Sequence, residues 1–509
     1  MVLGVDLVRR GAAHYADRTA VLFEDERLTF REVDEAANRF ANVLIGHGLA
    51  KGDRVALLLG NGLWTISMDF ACLKTGLVRV PLNARLSAAE LENMLAETGA
   101  THLIHAPELT DLAADLGGRI AGLITIGLGS PGAGGGLDLL AEAEHASIDD
   151  PQIALVADDP MLLLYTSGTT GKLKAVTHTQ GSWAAIATNV LTNLVQPEAD
   201  SVMLHAASLI HASGTFVLPY WVRGATSAIL RGFEPEEFVT AIERHKVTEI
   251  NLVPTMLGML FATGAADRID PAQLRTVIYG ASPMPRPLLR TAMAAWGPIF
   301  AQYYGQTEAP LCITVLDKQD HLDADLLGSC GFPSVDTDIR LIIDTGEPAP
   351  QGEIGEIQLR APFVMAGYHN ADELNQEMFT DDGWLRTRDM ARFDERGCLF
   401  LVDRRSDMII TGGYNVYPRE VEDALMAHDA VAECVVVGAP DAVWVEAVTA
   451  FVALKPGKSA AEAELQEIVR SQLAGYKVPK HVEFIDAVPK SPVGKLLRRA
   501  VRDPLWENQ

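Results

Sequence analysis

The stretch Leu162-Leu-Leu-Tyr165-Thr166-Ser167-Gly168-Thr169-Thr170-Gly171-Lys172-Leu-Lys174 joins an apolar run to a loop of glycines and hydroxyls that ends in lysines. A short, continuous apolar run of this kind marks a strand buried on both faces. Glycine lets the backbone approach an anion closely, hydroxyls and backbone N–H groups donate to phosphate oxygens, and lysine adds charge. The physical reading is a polyphosphate cradle at a strand end. It is not a Walker loop: two residues separate Gly168 from Gly171 where that motif has four, and Leu173 stands where its magnesium-binding hydroxyl belongs.

Upstream, strand and helix signals alternate. Arg54–Leu59, Leu77–Leu82 and Thr101–Ile104 read as strands, and Trp64–Lys74 as a helix. Ser87 and Glu90 form a capping-box pattern that opens another helix, with Leu91 and Met94 starting its apolar stripe. Such alternation predicts a parallel sheet sandwiched by helices. Gly127, Gly129 and Gly132 formally match a dinucleotide fingerprint after the apolar run Leu123–Ile126. More glycines follow where the phosphate-binding helix should start, so the expectation there is a flexible linker. Downstream, the strand signal Leu399–Val402 gives way to the charged link Arg404–Asp407 and a fresh strand, Met408–Ile410. Charged, exposed links are where domains hinge. The expected class is α/β, with a large N-terminal domain (1–403) of sandwiched parallel and mixed sheets. A small mobile α+β domain (404–509) follows, with helices from about Pro418 and Ala461 and strands at Cys434–Val437 and Thr449–Val452.

Composition narrows the function. The 509 residues are 48% hydrophobic and 21% charged, which excludes wholesale disorder and fibres. A formal charge of −25 argues against a bulk binder of nucleic acid or anionic lipid, while leaving room for one local anion pocket. The five cysteines are scattered, without a Cys-x-x-Cys pair, which fits a reducing cytoplasm rather than disulfides or structural zinc. No apolar run reaches the roughly 18 residues of a membrane span, and the N-terminal charges are on the wrong side for a signal peptide. The expected location is cytoplasmic.

The phosphate loop resembles that of the acyl-adenylate-forming superfamily, which includes acyl-CoA synthetases, stand-alone adenylation domains and beetle luciferases. That family's loop reads roughly TSGTTGKPKG; Leu173 and Ala175 stand here for its Pro and Gly. Further family blocks follow in order: Ser208–Gly214, Val253–Met256, Gly280–Pro283, Tyr303–Glu308, Gly383–Asp389, Asp403-Arg404, Gly412–Glu420 and Pro489–Lys495. The resemblance spans essentially the whole chain. It implies that a carboxylate attacks the α-phosphorus of ATP, releases pyrophosphate, and passes from the acyl-adenylate to the thiol of CoA. It also implies that Mg²⁺ accompanies ATP, and dimerisation is a habit of that family.

The same resemblance distributes the roles. Thr166, Ser167, Gly168, Thr169, Thr170, Gly171 and Lys172 would hold phosphates. Gly280, Ala281 and Ser282 would line the nucleotide, with Gly280 also bordering the acyl group. Tyr304 would face adenine, Thr307 the α-phosphate, Glu308 the Mg²⁺ and Asp389 the ribose. The family's usual Gly before that Asp is Arg388 here. Arg404 would reach ribose or phosphate, and Lys495 would bridge carboxylate and α-phosphate during adenylation only. Ser406 would be the hinge, and Gly412 and Gly413 would border a pantetheine channel. His211 would line the acyl pocket near the reacting carboxylate. Taken alone, Glu308 reads as a solvated acid, Arg404 as a linker charge, Lys495 as part of a basic tail and His211 as a core residue. The spacing of His205 and His211 suits no familiar metal motif.

Tyr303 bears on the acid. The family commonly has a small residue there, against the acyl pocket, and a phenol ring shortens or flattens that space. The expected acid is of medium length or aryl/arylalkanoic. Two other readings stay open: an adenylating enzyme that loads a carrier-protein pantetheine, and a non-catalytic ATP- or acyl-binding protein.

Overall fold

The computed structural model describes residues 2–166, 174–404, 407–411, 414–441, 444–490 and 496–506, except the side chains of Asp403 and Arg404. Two large mixed sheets dominate. In the nine-stranded sheet the strands Thr19–Phe23, Thr226–Ile229, Val202–His205, Glu249–Leu252, Thr276–Tyr279 and Phe300–Gln306 run parallel, and antiparallel strands close both edges. In the seven-stranded sheet, Pro160–Thr166, Val78–Pro81, Arg54–Leu58, His102–His105 and Ile124–Gly127 are parallel. Lys174–Thr179 and Gly367–Tyr368 add antiparallel to that sheet. The parallel strands are short and largely buried, polar members such as Glu249 and Asn251 included, as strands of a sheet covered on both faces are.

The helix Gln180–Asn193 starts at Thr179, whose hydroxyl accepts from the Ser182 N–H. Its Trp183, Ile186, Ala187 and Val190 join one apolar cluster with Leu162 and Val176 of the seven-stranded sheet and Met203 and Ile313 of the nine-stranded one. That shared core fixes the two sheets against each other. A four-stranded antiparallel sheet, Asp338–Ile342, Gly355–Arg360, Leu385–Phe393 and Leu399–Arg404, adds Ile357, Leu385 and Leu399 to the same cluster.

The C-terminal domain has its own sheet and core. The long apolar segment Val431–Leu454 is a hairpin of two strands, Val431–Asp441 and Val445–Leu454. The helices Pro418–Leu425 and Glu462–Gln472 cover one face of this sheet, and the helix Arg498–Trp506 covers the other. A cavity of about 480 Å³ under that last helix is lined by Arg498, Arg499 and Arg502. Those cations face carboxylates, Arg498 pairing with Glu422 and the other two with Asp503. No helix among the described residues is long and apolar enough to cross a membrane.

One expectation is corrected. The glycine-rich segment after Ile126 is a close-packed loop, not a flexible linker. A Cβ on Gly127 would lie 1.9 Å from the Ser130 carbonyl oxygen, and one on Gly132 would lie 2.4 Å from that of Thr125. The Gly132 N–H donates to the carbonyls of Gly136 and Leu137. These glycines permit close backbone approach, a use that composition alone does not distinguish from slack.

Candidate active site

The strands Phe300–Gln306 and Ala309–Leu316 form a hairpin in which Gln306 pairs with Ala309, so Thr307 and Glu308 are its turn. The register shifts between Tyr304 and Gln306. At that bulge a Cβ on Gly305 would lie 2.4 Å from the Leu311 carbonyl oxygen, so only glycine fits. The turn projects toward the strand Lys174–Thr179, which pairs with Pro160–Thr166 through Thr166 and Lys174. The proposed phosphate loop therefore connects two antiparallel strands. Its residues Ser167, Gly168, Thr169, Thr170, Gly171 and Lys172 lie outside the described residues, as do Ser406, Gly412, Gly413 and Lys495.

Bonds from three other residues among those described hold the turn. His178 Nε2 lies 2.8 Å from the Thr307 carbonyl oxygen. The Met365 N–H donates to the Glu308 carbonyl at 2.8 Å. The Tyr368 hydroxyl donates to Glu308 Oε1 at 2.5 Å, and Glu308 is 9% exposed. Lys174 Nζ lies 5.6 Å from the centre of the Tyr368 ring. Burial and the nearby Arg388 lower the Lys174 pKa, against the opposing pull of Glu308 and Glu377. His178 is fully buried, and desolvation brings its pKa down to about 4.

The four-stranded sheet contributes Asp389, 7% exposed. Its Oδ2 accepts from the Tyr304 hydroxyl at 2.6 Å and from Gln306 Nε2 at 3.2 Å. Burial and this carboxylate push the Tyr304 phenol well above its ordinary pKa, so it stays a donor. The backbone of Arg404 is registered opposite Asp389. Arg388, where the resembled family has Gly, sits at φ +62°. Its guanidinium donates to Glu377 at 3.1 Å and its N–H to Glu356 at 3.2 Å. A long side chain thus occupies the left-handed conformation that favours glycine.

Of the residues expected at the acyl group, Tyr303 and Gly280 meet. Tyr303, 3% exposed, meets Phe216 edge-on with ring centres 5.9 Å apart. A Cβ on Gly280 would lie 2.8 Å from the Tyr303 ring, and Ala281 next to it has φ +65°. Ser282 follows, half-buried. His211 stands at the start of the short helix Ala212–Thr215 that leads into Phe216. Its Nε2 is buried without a hydrogen-bond partner among the described residues, and burial lowers its pKa. His205 Nδ1 lies 2.9 Å from the Ser213 hydroxyl and anchors that segment.

The sequence reading missed His178 and Tyr368. Both look like ordinary strand residues, and only their distant partners reveal them. Among the described residues no group of three or more His, Cys, Asp or Glu could hold a metal unaided. Glu308 instead offers one carboxylate beside the phosphate hairpin, a donor set that suits a cation bound chiefly through substrate oxygens.

The family described as AMP-binding enzyme matches residues 8–369, and the AMP-binding enzyme C-terminal domain matches residues 420–495. Feruloyl-CoA synthase of Amycolatopsis sp is 39% identical over 489 residues, covering 95% of each chain. The medium/long-chain-fatty-acid–CoA ligase FadD8 of Mycobacterium tuberculosis is 37% identical, covering 98% of this chain and 89% of that one. Among solved structures, the o-succinylbenzoate CoA synthetase MenE of Bacillus subtilis, in complex with the acyl-adenylate intermediate OSB-AMP, matches with a TM-score of 0.85. It is 32% identical and covers 98% of both chains.

Proposed function

The chain belongs to the AMP-binding enzyme family, among its AMP-forming acid–CoA ligases, and we propose that it ligates an acid of medium length or of aryl/arylalkanoic type to CoA. The observation that carries this reading is convergence. Thr307 and Glu308 from the nine-stranded sheet, Lys174 from the seven-stranded sheet and Asp389 from the four-stranded sheet meet around the phosphate hairpin.

A free carboxylate is a poor acyl donor because its charge repels nucleophiles and oxide is a bad leaving group. In the proposed first step a carboxylate oxygen attacks the α-phosphorus of ATP, and the bond to pyrophosphate breaks. In the second, the CoA thiol attacks the acyl carbon, loses its proton to solvent or base, and AMP departs. The first step needs placement and charge neutralisation more than covalent participation by the protein. Thr307 would donate its hydroxyl to the α-phosphate, Asp389 would accept from the ribose hydroxyls, and the Tyr304 ring would face adenine. Glu308 would hold Mg²⁺, whose charge would offset that of the phosphates. Lys174, with Lys172, would supply local positive charge in a chain of net charge −25.

The remaining assignments belong to the same proposal. The loop Thr166–Lys172 would cradle the β- and γ-phosphates, and Gly280, Ala281 and Ser282 would border the nucleotide. Residues 1–403 form the large domain, and 404–509 form the small one that delivers Lys495, hinged at Ser406. In that small domain Gly412 and Gly413 would face the pantetheine, and Arg404 would reach ribose or phosphate. His211 would orient the acid, and its unpartnered Nε2 suits a polar group brought by substrate.

Tyr303 supports the shorter acid, since its ring, set by Phe216 and Gly280, fills space that a longer chain would need. The test is pyrophosphate release over an acid panel of increasing length, with and without CoA. The expected optimum is at medium-chain or aryl acids, with turnover requiring CoA. An optimum at palmitate or longer contradicts the Tyr303 argument, and release that ignores CoA points to a carrier-protein thiol.

A further inference from the structure

The turn Thr307–Glu308 is not self-supporting. Two-residue hairpin turns are stable alone when glycine or asparagine supplies positive φ, matching the twist of the strands. Neither Thr307 nor Glu308 has positive φ, and neither residue type favours it. The conformation must be held from outside.

The outside bonds come from specific places. His178 lies on the Lys174–Thr179 strand, which leaves the phosphate loop directly. A carbonyl oxygen can only accept, so the 2.8 Å contact to Thr307 requires the proton on His178 Nε2. Nδ1 then faces the Ser182 hydroxyl at 3.4 Å. The ring is fully buried beside Trp183, over which the Arg79 guanidinium sits at 5.1 Å. Burial and that cation keep the imidazole neutral, so it donates without adding charge next to the phosphates. One side chain thus ties the end of the phosphate hairpin in one sheet to the turn carrying Thr307 and Glu308 in the other.

We propose that His178 is a positioning residue for acyl-adenylate formation: its Nε2–H fixes the Thr307 carbonyl and sets the turn's distance from the strand Lys174–Thr179. The proposal rests on the reading that Thr307 and Glu308 act on the α-phosphate and its metal. His178 touches no reacting atom. It works by preventing small displacements of groups that do, and a shift of about 1 Å in such groups can cost on the order of 10²-fold in rate.

The experiment compares His178→Leu, His178→Gln and His178→Asn in the full chain. Gln can place an amide donor where Nε2 stands, and Asn places one only where Nδ1 stands. Single-turnover acyl-adenylate formation is measured beside thioester formation from supplied acyl-adenylate, with thermal midpoints for each variant. His178→Leu should slow adenylation by about 10- to 100-fold, change the KM for the acid little, and leave thioester formation within about threefold. His178→Gln should restore most of the adenylation rate, and His178→Asn should not. If His178→Leu does not fold, the ratio of Gln to Asn decides: a gap of about tenfold supports the proposal, and equal rates overturn it. Equal loss in both half-reactions, or full adenylation by folded His178→Leu, also overturns it. Wild-type protein that releases no pyrophosphate with any acid overturns the functional reading, whereas active wild type with indifferent variants overturns only the role of His178.

Discussion

The turn at Thr307–Glu308 and the C-terminal domain present opposite solutions to placing charge. Around the turn, Tyr304, Glu308 and Asp389 are all buried, and each is bonded to a neighbour from another strand. In the C-terminal domain the apolar residues Ile410, Tyr414, Trp444 and Val445 are exposed, Tyr414 by 58% and Val445 by 68%. Its core closes on itself, through Val421, Val436, Ala450 and Val469 on one face of its sheet. Groups that must stabilise charge at the moment of reaction gain from being fixed beforehand, since fixed dipoles need no reorganisation. A domain with a separate core can instead carry a group to the site for one step and remove it for the next. Under the proposed reading, the contrast implies that the adenylation contacts are built into the large domain and that a transient contact would come from the small one.

The strongest way to break this contrast is Lys495→Ala. If that lysine is delivered only for adenylation, its loss should slow that half-reaction by roughly 10²–10³-fold, the scale of one preorganised charge partner. Thioester formation from supplied acyl-adenylate should largely survive. Equal loss in both, measured by rapid quench, would make Lys495 a permanent part of the site and remove the distinction.

The next test concerns how firmly the large domain is fixed. His178 and His205 are fully buried with pKa values brought down to about 4 by desolvation, against about 6.5 for a free histidine. Unfolding exposes them, so below pH 6.5 the unfolded chain takes up protons that the folded chain does not. The stability they contribute is complete above pH 6.5 and is lost as pH falls towards 4, each contributing on the order of 3 kcal/mol. Urea unfolding at pH 7 and pH 5 should show this loss in wild type and a smaller one in His205→Gln. A pH-independent difference between the two proteins would contradict it.

Tyr304→Phe sharpens the same region by a smaller amount. It keeps the ring proposed to face adenine and removes the hydroxyl that donates to Asp389. A hydrogen bond to a carboxylate is worth enough to predict a rise of about 10-fold in the KM for ATP, with the KM for the acid unchanged. An unaltered KM for ATP would show that Asp389 keeps its place without Tyr304.

The smallest effect belongs to Arg388. A non-glycine residue at φ +62° carries about 1–2 kcal/mol of steric cost, and a β-branched one more. Arg388→Gly relieves it while losing only a half-exposed pair with Glu377. Glycine's greater freedom in the unfolded chain offsets part of that relief, so Arg388→Val should be less stable than Arg388→Gly in urea by about 1 kcal/mol. Equal midpoints would mean that the backbone there relaxes.

What could be read from the sequence was local. The capping box at Ser87 opens the helix Ala88–Thr98 where expected, and the helix read at Trp64–Lys74 is found at Thr65–Thr75. The short apolar runs are parallel strands because period and length are properties of neighbouring residues. Contacts across the chain were not legible. His178 and Thr307 are 129 positions apart, Tyr304 and Asp389 are 85, and no local pattern distinguishes a histidine facing a carbonyl from one filling a core. The Gly127–Gly136 loop was misread for a related reason: glycine serves slack and tight approach equally, and only the Thr125 and Ser130 carbonyls beside it decide.

The central claim is that ATP seated between the phosphate hairpin and the Thr307–Glu308 turn yields its AMP to an organic acid. It is tested most directly by a pre-steady-state pyrophosphate assay without CoA, run with medium-chain and aryl acids. The account predicts a burst approaching one pyrophosphate per chain, retained acyl-adenylate, and onset of turnover when CoA is added. Wild-type protein that releases no pyrophosphate with any acid, and whose melting temperature ATP does not shift, would contradict it.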